Sequence, residues 1–254
     1  MPSTNQSPTA TGRQDDFIER WRRQVAPKVG TGRHLLVIAQ PKSGSTALCN
    51  ILSELTGMPV SRYADRSVHG YSFSVQQAIS IANRDHVIHL HSLPSWPLQV
   101  WMEERRLVPT ILVRDIGESL VSMYHHLRRG FADTGELLRH LPYERGMEQV
   151  AYQWAHWYIH FQKSWRQYID IGKPGVFLES TELFADPAAV ACRVLEANGL
   201  PASREAAEQA AHRVLSDAMR SNYHGSSGEL PASVRDAVER LSADYEVLRG
   251  MAAE

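Results

Sequence analysis

Short apolar runs alternate with helical patterns along most of this chain. The segment His34–Ala39 is apolar at every position after His34 and is bounded by turn residues, which predicts a strand buried on both faces of a sheet. Comparable strands are predicted at Asp85–Leu90, Thr110–Val113 and Val176–Leu178. Because strands that alternate with helices are joined by crossover connections, the sequence predicts a three-layer α/β/α fold with a central parallel sheet.

Helical spacing is clearest in two places. Directly after the first strand, Leu48, Ile51, Leu52 and Leu55 recur on one helical face, and Gly57 marks the end of that helix. A later helix has an aromatic stripe that we expect to face the core. Its residues are Trp154, Trp157, Tyr158, Phe161, Trp165 and Tyr168.

Composition limits the class of protein. The chain has 254 residues, of which 43% are hydrophobic, which is enough for the core of a single domain over 15–254. Residues 1–14 are polar and offer little apolar surface, so we expect them to form a disordered leader. A net charge of −1 argues against a nucleic-acid partner. No stretch approaches the roughly 20 apolar residues that cross a bilayer, so no membrane span is expected. Two cysteines cannot form a disulfide framework, which favours a reducing, cytoplasmic location.

The loop after the first strand is typical of phosphate binding. Gly44 allows the main chain to approach an anion closely, Ser45 and Thr46 supply hydroxyls, and Lys42 supplies an ammonium group. In the nucleotide-hydrolase pattern G-x-x-x-x-G-K-[ST], the lysine occupies the position of Ser45, so here it comes three residues early. That displacement indicates chemistry other than Mg²⁺-dependent hydrolysis.

The segment Pro41–Thr46 resembles the 5′-phosphosulfate loop of the sulfotransferases that use 3′-phosphoadenosine 5′-phosphosulfate (PAPS). Their second motif is an apolar strand, an arginine and a serine eight residues later, and Thr110–Val113 followed by Arg114 and Ser122 fits it. The family's basic, glycine-containing closing loop is represented by His224 and Gly225. The resemblance implies a donor-binding set of Lys42, Ser43, Gly44, Ser45, Thr46, Arg114, Ser122, His224 and Gly225, with PAPS as co-substrate and 3′-phosphoadenosine 5′-phosphate (PAP) as product.

A catalytic base is expected at the end of the second predicted strand. Asp85–Pro94 resembles the family's Lys-Thr-His-Leu-Pro segment, whose histidine is the base. Counted forward from the strand, His91 matches that histidine and His89 replaces the lysine, whereas counting back from the proline would select Ser92. Serine is a poor base, so the resemblance implies His91 as the base, with Lys42 stabilising the leaving phosphate.

Three other interpretations remain. Asp115 could hold Mg²⁺ in a P-loop kinase or nucleotidase, and a sulfotransferase-like scaffold could have altered or no catalysis. Arg114 could be a structural arginine paired with Asp115 or Glu118.

His86, His89 and His91 suggest a metal site, but the family's loop needs no metal ion, so we expect none.

The acceptor is expected to be a small molecule with a hydroxyl or an amine, and its identity is not encoded in these motifs. Two long segments between regular elements, Ser61–Ser80 and Arg128–Met147, are predicted to be loops that select it. The sequence leaves homo-oligomerisation open.

Overall fold

The five strands of the sheet are all parallel. The computed structural model describes residues 19–20, 22, 31–62, 73–130, 132–221 and 228–251. Within them the strands are β1 (His34–Ala39), β2 (Val60–Arg62), β3 (His86–Leu90), β4 (Thr110–Val113) and β5 (Val176–Glu179). Their order across the sheet is β2-β3-β1-β4-β5. The four predicted strands are confirmed, and β2 is a short edge strand that the sequence analysis missed.

Helices connect the strands and cover both faces of the sheet. They are α1 (Ser45–Thr56), α2 (Val75–Ser80), α3 (Trp96–Glu104), α4 (Ile116–Gly130), α5 (Ala132–His140), α6 (Tyr143–Asp170), α7 (Ser180–Ala185), α8 (Pro187–Ala197), α9 (Arg204–Ser221) and α10 (Ala232–Met251). In the part of the chain that is described, no helix is long and apolar enough to cross a membrane.

Successive side chains of β1 point to opposite faces of the sheet, and helices pack on both faces to form three layers. Leu35 and Val37 pack on one side with the buried faces of α1, α8 and α9. Leu36 and Ile38 point to the opposite side and pack with α3 and with the C-terminal half of α6. Tyr158, Phe161, Trp165 and Tyr168 of the aromatic stripe are buried in the core. The predicted α/β/α fold is therefore confirmed.

Regular elements occupy described parts of both segments that were predicted to be loops. In the first, 61–62 belong to β2 and Val75–Ser80 is α2, whereas 63–72 lie outside the described residues. The second is helical over nearly its whole length. Leu138 and Met147 are buried with Tyr124 of α4, and Gly146 packs so closely on Tyr124 that a methyl group there would lie 2.6 Å from Cε2. The loop prediction for 128–147 was wrong because charged residues surround the few apolar positions of these helices and obscure their helical spacing.

A buried histidine lies at the amino end of β1, far from the carboxyl edge. His34 is 5% exposed, its Nε2–H donates to the carbonyl of Arg84 at 3.2 Å, and its ring stacks on Trp101. Burial, and then the charge of Arg105, lower the pKa of His34 to about 4 from the usual 6.5. Between these two pH values the unfolded chain binds a proton that the folded chain does not, so stability falls as the pH drops from 6.5 towards 4.

We therefore expect His34→Leu to reduce the acid sensitivity of the fold. Between about pH 7.5 and about pH 5, the wild-type protein should lose about 2 kcal/mol of unfolding free energy through His34 alone. Urea unfolding at both pH values measures the difference. The exposed His140→Leu variant is the control and should keep the wild-type pH dependence, and an unchanged dependence in His34→Leu would contradict this assignment.

Candidate active site

The candidate site lies where the carboxyl ends of the central strands meet. The neighbouring strands β1 and β4 have chain connections that leave in opposite directions, towards β2 and towards β5. Such a switch point opens a crevice at the carboxyl edge of a parallel sheet, which is where ligands bind in open α/β folds. The loop after β1, His91 after β3 and Arg114 after β4 are all at this edge.

The loop between β1 and α1 has the backbone of an anion site. Lys42 and Gly44 have φ angles of 71° and 93°, in the left-handed region that non-glycine residues rarely adopt. The amides of Ser45 and Thr46 lie in the first turn of α1 and so have no intrahelical acceptor. No side chain caps this end of the helix. The Ser43 hydroxyl is fully buried without a hydrogen-bond partner among the described residues.

Cations dominate the surroundings of Lys42. Its side chain is half-buried, and burial is the main cause that lowers its pKa. The positive charges of Arg129 and then of Arg114 lower it further, and no carboxylate among the described residues acts in the opposite direction. The site therefore concentrates positive charge that an anionic ligand would neutralise.

His91 is held against the loop by a short hydrogen bond. Its Nδ1 is 2.6 Å from the carbonyl oxygen of Ala39, which can only accept, so Nδ1 carries the proton and Nε2 is the basic nitrogen of the neutral ring. The ring of His89 lies edge-on to that of His91, with the ring centroids 4.6 Å apart, and its Nε2 is 2.9 Å from Ser45 Oγ. Ser92 is buried, and its hydroxyl donates to the carbonyl of Leu93.

Arg114 has partners on both sides. Its Nε is 2.9 Å from Glu118 Oε2, so the carboxylate pairing considered from the sequence is present, and its Nη1 donates to the carbonyl of Lys42 at 3.1 Å. The Glu118 carboxylate is mostly solvent-exposed, and such ion pairs contribute at most about 1 kcal/mol. Asp115 does not pair with Arg114; its Oδ1 caps α4 by accepting the amide of Glu118. Ser122 lies half-buried two turns along α4.

A buried amide network joins the end of β1 to α4, to α6 and to Arg114, and it was not predicted from the sequence. Gln40, which is fully buried, donates through Nε2 to Ser119 Oγ at 2.7 Å. Its Oε1 accepts from Gln162 Nε2 at 2.7 Å, and Gln162 also donates to the carbonyl of Arg114. The one signal in the sequence is that Gln40 is a polar residue between a buried strand and the loop.

A cavity of about 1000 Å³ opens beside Arg114. Residues that follow β4 and β5 line it, together with Gln162 and one face of α10. Its volume is at the upper end of the usual range for small-molecule sites. His224 and Gly225, the predicted closing loop, lie outside the described residues. Within those residues, no group of three or more histidine, cysteine or acidic side chains could hold a metal ion.

Comparison with known proteins identifies the family. The family model described as the sulfotransferase domain matches residues 32–244, so the chain belongs to the sulfotransferase family. Mouse sulfotransferase SULT7A1 complexed with PAP superposes with a TM-score of 0.58 at 14% identity, over 84% of this chain and 74% of that one. Retinol dehydratase in complex with androsterone and inactive cofactor PAP gives 0.53 at 12% identity, over 89% and 84%. No curated protein sequence matches significantly.

The contact between Gly44 and Phe184 gives a testable constraint on the loop. A methyl group on Gly44 would lie 2.7 Å from Phe184 Cζ, and Gly44→Ala would also strain the left-handed backbone. Gly57→Ala is the matched control, because Gly57 is also left-handed but nothing lies within 4 Å of its added methyl. We expect Gly44→Ala to lower the unfolding free energy by about 1 kcal/mol more than Gly57→Ala.

Urea unfolding of both variants measures this difference. Adding Phe184→Ala should remove the excess, because the ring that the new methyl displaces is then absent. Equal losses for Gly44→Ala and Gly57→Ala would show that the aromatic ring does not constrain the loop.

Proposed function

We propose that this protein transfers the sulfuryl group of PAPS to a hydroxyl or an amine of a small-molecule acceptor and releases PAP. The observation that carries the proposal is the meeting of Lys42, His91 and Arg114 around one loop at the carboxyl edge of the sheet. Family membership and a fold shared with sulfotransferases complexed with PAP support it.

The residues at this edge fit the donor chemically. The uncapped first turn of α1 and the unpartnered Ser43 hydroxyl are suited to the oxygens of a phosphosulfate group. In this proposal Ser43, Gly44, Ser45 and Thr46 hold the 5′-phosphosulfate. Arg114 and Ser122 hold the 3′-phosphate, as the resemblance implies, and the cavity beside Arg114 takes the nucleoside.

His91 and Lys42 then have complementary tasks in an in-line displacement. Nε2 of His91 accepts the proton of the acceptor hydroxyl or amine while the acceptor atom forms its bond to sulfur. The bond between sulfur and the bridging oxygen breaks, and its electron pair stays on the 5′-phosphate of PAP. The ammonium of Lys42 stabilises that oxygen as it gains charge. The hydrogen bond from Nδ1 to Ala39 keeps the basic nitrogen of His91 in the correct tautomer.

Two further features belong to the same proposal. The proposed sulfuryl transfer uses protein cations and amides to neutralise charge, so it requires no metal ion. A cytoplasmic location is proposed as well, because Cys49 and Cys192 are both free thiols.

We expect PAP to raise the melting temperature of the protein in the presence of EDTA. The anion contacts come from the loop amides, Arg114 and Ser122, so Mg²⁺ should not be needed. PAP at 100 times its dissociation constant should add about 2.7 kcal/mol of stability, which differential scanning fluorimetry detects. A response to ATP that requires Mg²⁺, with none to PAP, would instead support a P-loop kinase.

Two substitutions should separate the roles of His91 and Lys42. His91→Ala should lower turnover by roughly 10²–10⁴-fold with phenol as acceptor. The loss should shrink with an acidic nitrophenol, which is already ionised and needs no base. Lys42→Ala should lower turnover with both acceptors alike, because Lys42 acts on the leaving group, and it should change PAP affinity only modestly. Initial rates with the two phenols measure the contrast.

His89→Ala and Ser92→Ala are the controls for the position of the base. Each should reduce turnover less than His91→Ala. A larger loss in Ser92→Ala, or equal loss with both phenols in His91→Ala, would remove His91 from this role.

A further inference from the structure

The second half of α4 carries positive charge that the proposed donor site does not use. This helix has one acidic residue, Glu118 in its first turn, and four basic or histidine residues near its end. Those residues are His125, His126, Arg128 and Arg129. Among the described side chains, which leave out those of 131–134, no carboxylate pairs with Arg129, whereas Glu118 is paired with Arg114. The described side chains therefore do not compensate the charge at this end of α4.

Helix geometry directs Arg129 to the face that also carries Ser122. His126 follows Ser122 by four residues and Arg129 follows it by seven, so all three lie on one side of α4. Helical side chains lean towards the amino terminus, and the bond from Arg129 Nε to the carbonyl of His125, at 3.0 Å, holds the guanidinium over the preceding turn. Arg128 is turned about 100° away around the helix.

Arg114 and Arg129 both act on Lys42, Arg114 through a hydrogen bond and Arg129 through its charge. Arg114 Nη1 bonds to the backbone carbonyl of Lys42, yet Arg129 lowers the pKa of the Lys42 ammonium more than Arg114 does. The charge of Lys42 in turn contributes to lowering the pKa of His126. Lys42, Arg129 and His126 are therefore near enough to act on one another electrostatically.

The large cavity lies on the Arg114 side. Arg114, Gly117 and Val121 line it, whereas His126 and Arg129 do not. If the nucleoside fills that cavity, the sulfur atom lies near the Lys42 ammonium and the nucleotide ends there. In an in-line displacement the acceptor approaches from the side opposite the leaving phosphate. Arg129 acts on Lys42 but does not line the cavity assigned to the nucleoside, so its charge is available to the acceptor.

We propose that the acceptor is an anion, a small molecule with a carboxylate or similar group near the hydroxyl or amine that is sulfated, and that Arg129 binds this group with His126 beside it. The inference rests on the proposed function. An anionic acceptor must approach the negative charge of the phosphosulfate, and an arginine at this position offsets the repulsion. Arg129 is thus a specificity-determining residue for the acceptor.

The test compares acceptors that differ only in charge. The probes are 4-hydroxyphenylacetate and 4-hydroxyphenylacetamide, with a panel of other small phenols and alcohols that are each offered as carboxylate and as amide. Transfer of ³⁵S from labelled PAPS gives kcat/KM for each member. We expect wild-type protein to prefer the carboxylates by about tenfold or more, the value of one charge-assisted contact.

Arg129→Gln should abolish this preference, leave the amides within about twofold and leave the PAP dissociation constant within about twofold, since neither involves a contact to the lost charge. Arg128→Gln removes the same charge one residue away and should keep the preference. Equal rates for carboxylates and amides in wild-type protein, or no transfer to any carboxylate while amides are sulfated, would overturn the inference.

Measurements of PAP binding distinguish failure of the acceptor inference from failure of the proposed function. Weaker PAP binding in Arg129→Gln, with carboxylates and amides equally slowed, would place Arg129 on the nucleotide and overturn the inference. Absence of PAP binding to wild-type protein would refute the proposed function itself. Sulfation of amides with intact PAP binding would leave the proposed function standing while the acceptor inference fails.

Discussion

The candidate site depends on the buried side chain of Gln40. Its amide joins four parts of the fold, because Nε2 donates to Ser119 on α4 and Oε1 accepts from Gln162 on α6 and from the amide of Arg114 after β4. Both polar atoms are satisfied, so a fully buried amide costs little here, while loss of any partner would leave an unpaired group in the interior. This arrangement fixes where the loop after β1 lies relative to Arg114 and α4.

Positive charge is concentrated around the loop that Gln40 positions. Lys42, Arg114 and Arg129 are close enough for the arginines to lower the pKa of Lys42, and Glu118, the carboxylate that pairs with Arg114, is mostly exposed to solvent. Like charges in a half-buried site raise the free energy of the unliganded protein, and an anionic ligand relieves that repulsion. In the proposed function, the same arrangement would let one loop bind a phosphosulfate and stabilise the phosphate that leaves.

The sequence was sufficient for four of the five described strands and for where the loop lies between β1 and α1, because both depend on local patterns. Buried strands such as Thr110–Val113 are apolar throughout, and Pro41–Thr46 is a contiguous motif. It was insufficient for Gln162, which meets Gln40 across 122 residues and has no local signature. The edge strand Val60–Arg62 is too short for periodicity to reveal, and the helical segments within 128–147 bury too few apolar residues to be recognised. The roles of His91 and Lys42 remain predictions, although His91 bonds to the end of β1 where the loop that contains Lys42 begins.

The most direct test of sulfuryl transfer is a mass balance with ³⁵S-labelled PAPS and a mixture of small acceptors. The account predicts that label moves into an organic acceptor, with one PAP released for each sulfuryl group transferred, in the absence of added metal ions. Label that stays on the nucleotide or appears only as inorganic sulfate, while PAP still binds, would show that this sulfotransferase fold does not perform the proposed transfer.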